Sequence, residues 1–600
     1  MVQWVQDQIR YMAYSTGLDE ESTKIVMCLL LSFPLSALFK RLPDNKYTLK
    51  NLVVIGVSFF YIFIILELKG GFVTLLISTT FTYLITKYLK SDLMPWFNLA
   101  FLMGHLCINH LKAQFWQAEY DPTKIDITGA QMVLVMKLSS FAWSYRDGKL
   151  LKRDPKAFQE KLNTYQRSRV VVEHPSILSF LGYAFFFPSL LTGPSFDYSD
   201  YQNFINTELF SDVPDTKRPG KRRKRMIPKS GRIAFAKVVQ GAAWAAIWIT
   251  SLNYITTDYL FTVEYQQKPL IVKGIVLTIL GFTYRLKYYA VWLISEGCCI
   301  LVGIGYNGYD ASTGKFYWNR VQNIAPWEFE TGQNVRTCLE AWNMNTNKWL
   351  KNFIYLRSAK NNKPGFLSTL LTFATSAFWH GTKPGYYLSF VSGAFYQTIG
   401  KIFRRNIRPI FTTKDAEPVT RYKTLYDIVS WTVTHLAFGY LVQPFVILEF
   451  KKSIKVWSSV YFFPHIAIGI ILFAFKGPFS RSVTGFLRKY HLKSKGESET
   501  ISAPKKDTIT VHPNASDASL IPEYDNQEEL NQPIILPEID FSKEDYDELM
   551  NKIDELQKLR SSKDFSLIEN EEKQALYEAL DSLSKDIGKV MGNIRSFKND

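Results

Sequence analysis

The sequence predicts an all-α, polytopic membrane protein with a polar, partly helical C-terminal tail. Three observations lead there. Apolar segments recur from about Lys24 to Phe475, and the rest of the 600-residue chain is polar. These segments run on without strict alternation of apolar and polar residues, and lipid tolerates only backbones that satisfy their own hydrogen bonds, so helices are favoured over a closed barrel. After Phe475 the composition changes abruptly, and KSKGESETISAPKKDTITVHPNASDAS has the Pro- and Ser-containing character of a linker.

In chain order, residues 1–23 open with MVQWVQDQIRYM, which mixes apolar and charged groups and suits an interfacial segment. Residues 24–476 form the multi-span domain, with candidate spans at 25–39, 52–68, 72–89, 96–108, 177–191, 234–255, 288–304, 366–379, 386–403, 425–448 and 456–475. Several are shorter than the ~20 apolar residues that cross a bilayer alone, so they are expected to be tilted, re-entrant or buried in the bundle. Residues 477–540 read as a basic juxtamembrane segment and polar linker. In 541–600, Tyr546, Leu549, Ile553 and Leu556, and then Leu576, Leu580, Leu583, Ile587, Val590 and Ile594, recur at three- and four-residue steps. That period predicts two tail helices, a candidate hairpin or oligomerisation element.

The net charge of +17 would suggest nucleic acid in a soluble protein. Here the basic residues gather beside apolar segments, in KRPGKRRKR from Lys217, RDGKLLKRDPK from Arg146 and RKYHLKSK from Arg488. Positive loops beside spans are a topology signal, so these loops and the tail are placed in the cytosol and no nucleic-acid partner is expected. The sequon at Asn514 is then expected to stay unmodified. The five cysteines show no metal-ligand spacing and read as small packing residues.

Ionisable and amide groups inside apolar runs carry the functional signal. His380 ends the run TFATSAFWH, and an ionisable residue in such a setting is a candidate for function by default. A histidine satisfying a helix end beside Gly381 fits its position equally well. His105, His110, His174, His435 and His465 also lie in or beside apolar segments, and none of the six sits in a metal-binding motif. The stretch CLEAWNMNTNKWLKNFIYLR, starting at Cys338, places Asn343, Thr346, Asn347 and Leu350 at helical spacing, with Trp342, Trp349 and Phe353 nearby. A chamber-lining polar stripe and an interfacial helix with one wet face both fit that pattern.

WNMNTNKWLKNFIY followed by SAFWHGTKPGYY resembles the paired signature of the membrane-bound O-acyltransferase family, with Asn343 and His380 in the family's order. DITGAQMVLVMKLSSFAWSYRDG from Asp126, LTGPSFDYSDYQNF from Leu191 and EGCCILVGIGYNGYD from Glu296 resemble its lysophospholipid acyltransferase branch. The resemblance covers most of residues 126–387 and none of the tail. It implies a helical bundle enclosing a reaction chamber, acyl-CoA and a lysophospholipid as partners, and an endoplasmic reticulum membrane. It further implies catalytic roles for His380 and Asn343, acylation of a free glycerol hydroxyl, expected at sn-2, and no permanently bound cofactor or metal, acyl-CoA being a co-substrate.

On that reading, His380 takes the hydroxyl proton and Asn343 either orients the acceptor or donates to the oxyanion. Trp342, Thr346, Asn347 and Trp379 are candidates to touch substrate. Lys348, Lys351 and Arg357 are candidates for the anionic CoA head, and Glu296 and Asn307 for polar groups of the chamber. Two alternatives stay open: a sterol, diacylglycerol or protein acceptor in the same family, and a polytopic transporter.

Overall fold

The computed structural model describes residues 2–116, 127–219, 225–358, 366–412 and 422–491. The expected tail helices, the sequon and most of the Lys217 basic cluster lie outside the described residues. Two compact units divide the chain, 1–357 with 371–536, and 358–370 with 537–600. The description below concerns the first.

Helices dominate, and among the described residues the only sheet is a hairpin pairing Tyr309 with Phe316 and Asp310 with Lys315. Among the described residues, three helices are long and apolar enough to cross a membrane: Glu20–Phe39, Tyr47–Ile65 and Gly231–Phe261. Phe450–Ser459 and Phe463–Lys476 would together make a fourth, but they are bent by 77°. Other expected spans lie in helices such as Lys69–Tyr88, Met94–Leu111, Pro384–Asn406 and Lys423–Leu441.

One candidate span is too short to cross a membrane as a single helix. Within 177–191 the helix stops after Ile177–Ala184 and passes into a tight turn at Phe187–Ser189. Phe180, Phe185, Phe186 and Phe187 are all buried there, so this apolar run is protein core. In the opposite sense, Thr128–Arg153 was not predicted as a span, yet it is a 26-residue helix buried along most of its length. Its polar residues hide it from hydropathy, and several of them are satisfied internally. Ser139 and Ser140 donate to the carbonyls of Val135 and Met136 at 2.6 Å, and Lys137 donates to the Tyr183 carbonyl between the rings of Tyr183 and Phe196. Paired in this way, buried polar groups avoid the cost of an unmet hydrogen bond.

The N-terminal segment is the helix Val2–Thr16. It docks through buried Val5 and Ile9, and Gln6 donates at 2.7 Å to the Ile64 carbonyl in the π turn Tyr61–Ile65. Asp19 caps the next helix by accepting from the Ser22 N–H at 2.8 Å. Arg225 closes that helix's far end by donating to the carbonyls of Lys40, Arg41 and Leu42. Ser480–Arg488 is helical inside the stretch expected as linker.

The 33-residue helix Leu270–Val302 packs along Gly231–Leu252. They approach closely where a residue has no side chain, since a Cβ on Gly297 would meet the Ala234 carbonyl oxygen at 2.8 Å.

Candidate active site

Asn343 does not lie within a helix. The chain breaks between Val335–Ala341 and Met344–Trp349, and at the break Asn343 adopts the left-handed conformation (φ 44°, ψ 50°). Asparagine tolerates that region better than most residues. The predicted polar stripe is therefore split. Thr346 faces Asn343, its hydroxyl 2.8 Å from Oδ1, whereas Asn347 turns back and donates to the carbonyls of Leu339 and Trp342 at 2.9 Å each. Asn347 braces the break. Asn343 Oδ1 also accepts from Asn323 at 3.3 Å, and its amide NH2 has no partner among the described residues.

His380 ends the helix Phe366–His380, and Gly381 at φ 142° stops the helix directly after it. The ring sits in an aromatic cup, with centroids at 4.8 Å from Phe390, 5.2 Å from Phe445 and 5.9 Å from Tyr386. Its Nδ1 lies 2.7 Å from the Ser376 carbonyl oxygen. A carbonyl only accepts, so Nδ1 carries the proton, and in the neutral ring Nε2 is left as the basic atom. Nε2 has no partner among the described residues. Other histidines are tied into packing. His465 bonds Ser392 and Tyr440, His435 lies against the Gly332 carbonyl and Glu330, and His105 and His174 meet the hydroxyls of Ser78 and Thr86.

The two segments meet on one face of Thr128–Arg153. Trp379 donates to the Met132 carbonyl at 2.9 Å, Thr346 reaches the Met136 sulfur at 3.3 Å, and Trp349 donates to Ser139 at 2.9 Å. Positions 132, 136 and 139 are successive turns of a helix face. Ser195 of the LTGPS stretch also reaches Met136, and Thr192 bonds Ser295 at 2.9 Å. On the other side, an aromatic chain runs from Phe445 through Tyr284 and Tyr288 to Trp342, the neighbour of Asn343. The arrangement leaves His380 Nε2 and the Asn343 NH2 without partners among the described residues.

The remaining predicted site residues divide. Lys348 lines a small cavity with Arg169, Arg320, Asp197 and Asp200, beside the turn that carries Asn343. Lys351 lies partly buried in the π turn Leu350–Tyr355. Trp342 packs among Tyr288, Tyr289, Trp292 and Phe329, and Trp379, 5% exposed, anchors the histidine helix. Glu296, expected in the chamber, pairs with Lys237 at 2.9 Å across the packed helices. Asn307, expected there too, bonds Asn319 at 2.9 Å beside the hairpin.

Arg357, a candidate for the anionic CoA head, has a buried side chain. Its side chain is 5% exposed and forks onto Asp147, itself 1% exposed, while its guanidinium stacks 4.7 Å from the Trp143 ring. Removing one member of a buried pair strands the other charge, at a cost of ~3–5 kcal/mol. Arg357→Ala is therefore expected to lower the thermal unfolding midpoint of the detergent-solubilised protein. An unchanged midpoint with a raised KM for acyl-CoA would return Arg357 to the substrate path.

Sequence reasoning missed Asn323, Met136 and the cup residues Phe390 and Phe445. No local pattern marks them. Each matters through a tertiary contact only.

The helical fold, with helices apolar enough to cross a membrane, carries Asn343 and His380 on two segments that pack against one helix face. The sequence model of the membrane-bound O-acyltransferase family matches residues 113–443, and the chain belongs to that family. It is 51% identical over 478 residues to a lysophospholipid acyltransferase of Saccharomyces cerevisiae, covering 79% of this chain and 77% of the relative. It is 40% identical over 511 residues to a lysophospholipid acyltransferase of Schizosaccharomyces pombe (83% and 97%). Against human membrane-bound glycerophospholipid O-acyltransferase 2 it is 29% identical over 403 residues (66% and 73%).

Proposed function

We propose that this enzyme transfers an acyl group from acyl-CoA to the free glycerol hydroxyl of a lysophospholipid, at sn-2, giving a diacyl phospholipid. One observation carries the reading: His380 Nδ1 is committed to the Ser376 carbonyl, which leaves Nε2 as the base inside an aromatic cup. The relatives' names support the lysolipid acceptor over a sterol, diacylglycerol or protein.

In the proposed step, Nε2 takes the hydroxyl proton as that oxygen bonds to the acyl carbon. The carbonyl oxygen gains negative charge and receives a hydrogen bond from the Asn343 amide. The C–S bond then breaks, and the proton passes from His380 to the thiolate, releasing CoA as the free thiol. No serine or cysteine nucleophile and no resident cofactor takes part. Apolar walls favour the lipid hydroxyl over water. Of the cations beside the asparagine helix, Lys348 is proposed to meet the anionic donor, in a cavity where Arg169 and Arg320 are paired with Asp197 and Asp200. The membrane is that of the endoplasmic reticulum, with the tail on the cytosolic side.

The test is acyl transfer by the purified protein across a panel of lysophospholipid headgroups, with a sterol and a diacylglycerol as controls. Product with lysophospholipids alone is expected. Equal transfer to the sterol or the diacylglycerol would overturn the assignment.

A further inference from the structure

We propose that Asn323 is a positioning residue that sets which way round the Asn343 amide faces. The proposal rests on the reading that this amide meets the reacting carbonyl.

Asn323 lies twenty residues before Asn343 and is 3% exposed. It holds three consecutive residues of the asparagine segment. Its backbone carbonyl accepts from the Met344 N–H at 2.9 Å, and its Oδ1 accepts from the Asn345 N–H at 3.1 Å and from Asn345 Nδ2 at 3.2 Å. Its Nδ2 donates to Asn343 Oδ1 at 3.3 Å. Met344 and Asn345 open the helix Met344–Trp349, and first-turn N–H groups have no partner within their own helix. The side chain at the cap position would ordinarily accept from such groups, but Asn343 makes no capping bond. Asn323 accepts in its place and leaves the Asn343 side chain available.

The same network fixes the amide's orientation. A backbone N–H only donates, so the atom of Asn323 facing Asn345 N–H is the oxygen and the other is the NH2. The atom of Asn343 that meets this NH2 is in turn its oxygen. Thr346, the other partner of Asn343 Oδ1, carries a hydroxyl that donates or accepts by rotating, so it follows either orientation and selects neither. Asn323 alone among these partners makes the choice, and it presents the Asn343 NH2 outward. With a carboxylate at position 323, the bonds from Asn345 persist. Asn343 then gains by turning its NH2 inward, which puts an oxygen where the reaction needs a donor.

The test is a coupling experiment on the full chain, purified and reconstituted, using acyl-CoA and a lysophospholipid at saturation. Asn323→Asp in the wild-type background is expected to lower kcat by about tenfold or more, within the range set by loss of an oxyanion donor, while both KM values stay within about twofold. In the Asn343→Ala background the same substitution is expected to change kcat by less than about twofold, because no amide is left to orient. A general packing defect would slow both backgrounds equally. Asn323→Ser, which removes the reach to Asn343 without adding charge, gives a second pair if the Asp variants do not insert. An unchanged kcat for Asn323→Asp, or an equal loss in both backgrounds, would overturn the positioning role while leaving Asn343 in place. Full kcat in Asn343→Ala alone would overturn the reading beneath it.

Discussion

His380→Ala is expected to lose acyl transfer by about 10²–10⁴-fold per inserted protein, the range contributed by a positioned general base. The loss should appear in kcat, because the cup that holds the ring is made by Phe390, Phe445 and Tyr386, which the substitution leaves in place. His380→Gln is the closer variant. Its amide fills part of the cup and still offers a donor, but it has no basic nitrogen, so it is expected to be nearly as inactive. The helix should survive both changes, since Gly381 and the Trp379 bond to the Met132 carbonyl fix its end independently of the imidazole. The check is product formation at equal amounts of folded, membrane-inserted protein. Wild-type turnover in either variant would remove His380 from the proton transfer.

Asn343→Ala and Asn343→Asp are expected to be similarly damaging, each by about a hundredfold in kcat. Sequence leaves the amide's role open between donor and acceptor, and the local bonds favour the donor. Both contacts of the side chain are to its oxygen, from Thr346 and Asn323, so the group left for substrate is the NH2. Aspartate keeps the size and the two oxygens but lacks the NH2. Should Asn343→Asp keep most of the activity that Asn343→Ala loses, the amide acts as an acceptor. Wild-type turnover in Asn343→Ala, with loss in Asn347→Ala, would place the catalytic amide one turn later. That outcome is not expected, because Asn347 spends its NH2 on two backbone carbonyls.

The parts of this molecule legible in sequence are those that composition controls. Apolar runs become helices, whereas Asn343 and His380 are singled out by a family resemblance, since six histidines and three asparagines share similar settings. Where tertiary pairing decides, the sequence is silent. Thr128–Arg153 reads as polar because Lys137 and Asp147 find their partners in Tyr183 and Arg357, far away in the chain. The run at 177–191 reads as a span because apolar residues look the same facing lipid and facing protein. Helical spacing grouped Asn347 with Asn343, and the left-handed break at Asn343 separated them. Arg357 looked like a surface cation because nothing local announces Asp147, 210 residues earlier. Glu296 likewise finds its ion-pair partner, Lys237, through tertiary packing.

The central claim is direct transfer to a lipid hydroxyl deprotonated by His380. The measurement closest to it is thiol release from acyl-CoA by the purified enzyme in lipid nanodiscs, followed first without lysophospholipid and then after its addition. The predicted result is no stoichiometric burst before addition and, after it, one CoA thiol for each diacyl phospholipid formed. A burst of one thiol per enzyme in the absence of lysophospholipid, with the acyl group left covalently on the protein, would contradict it.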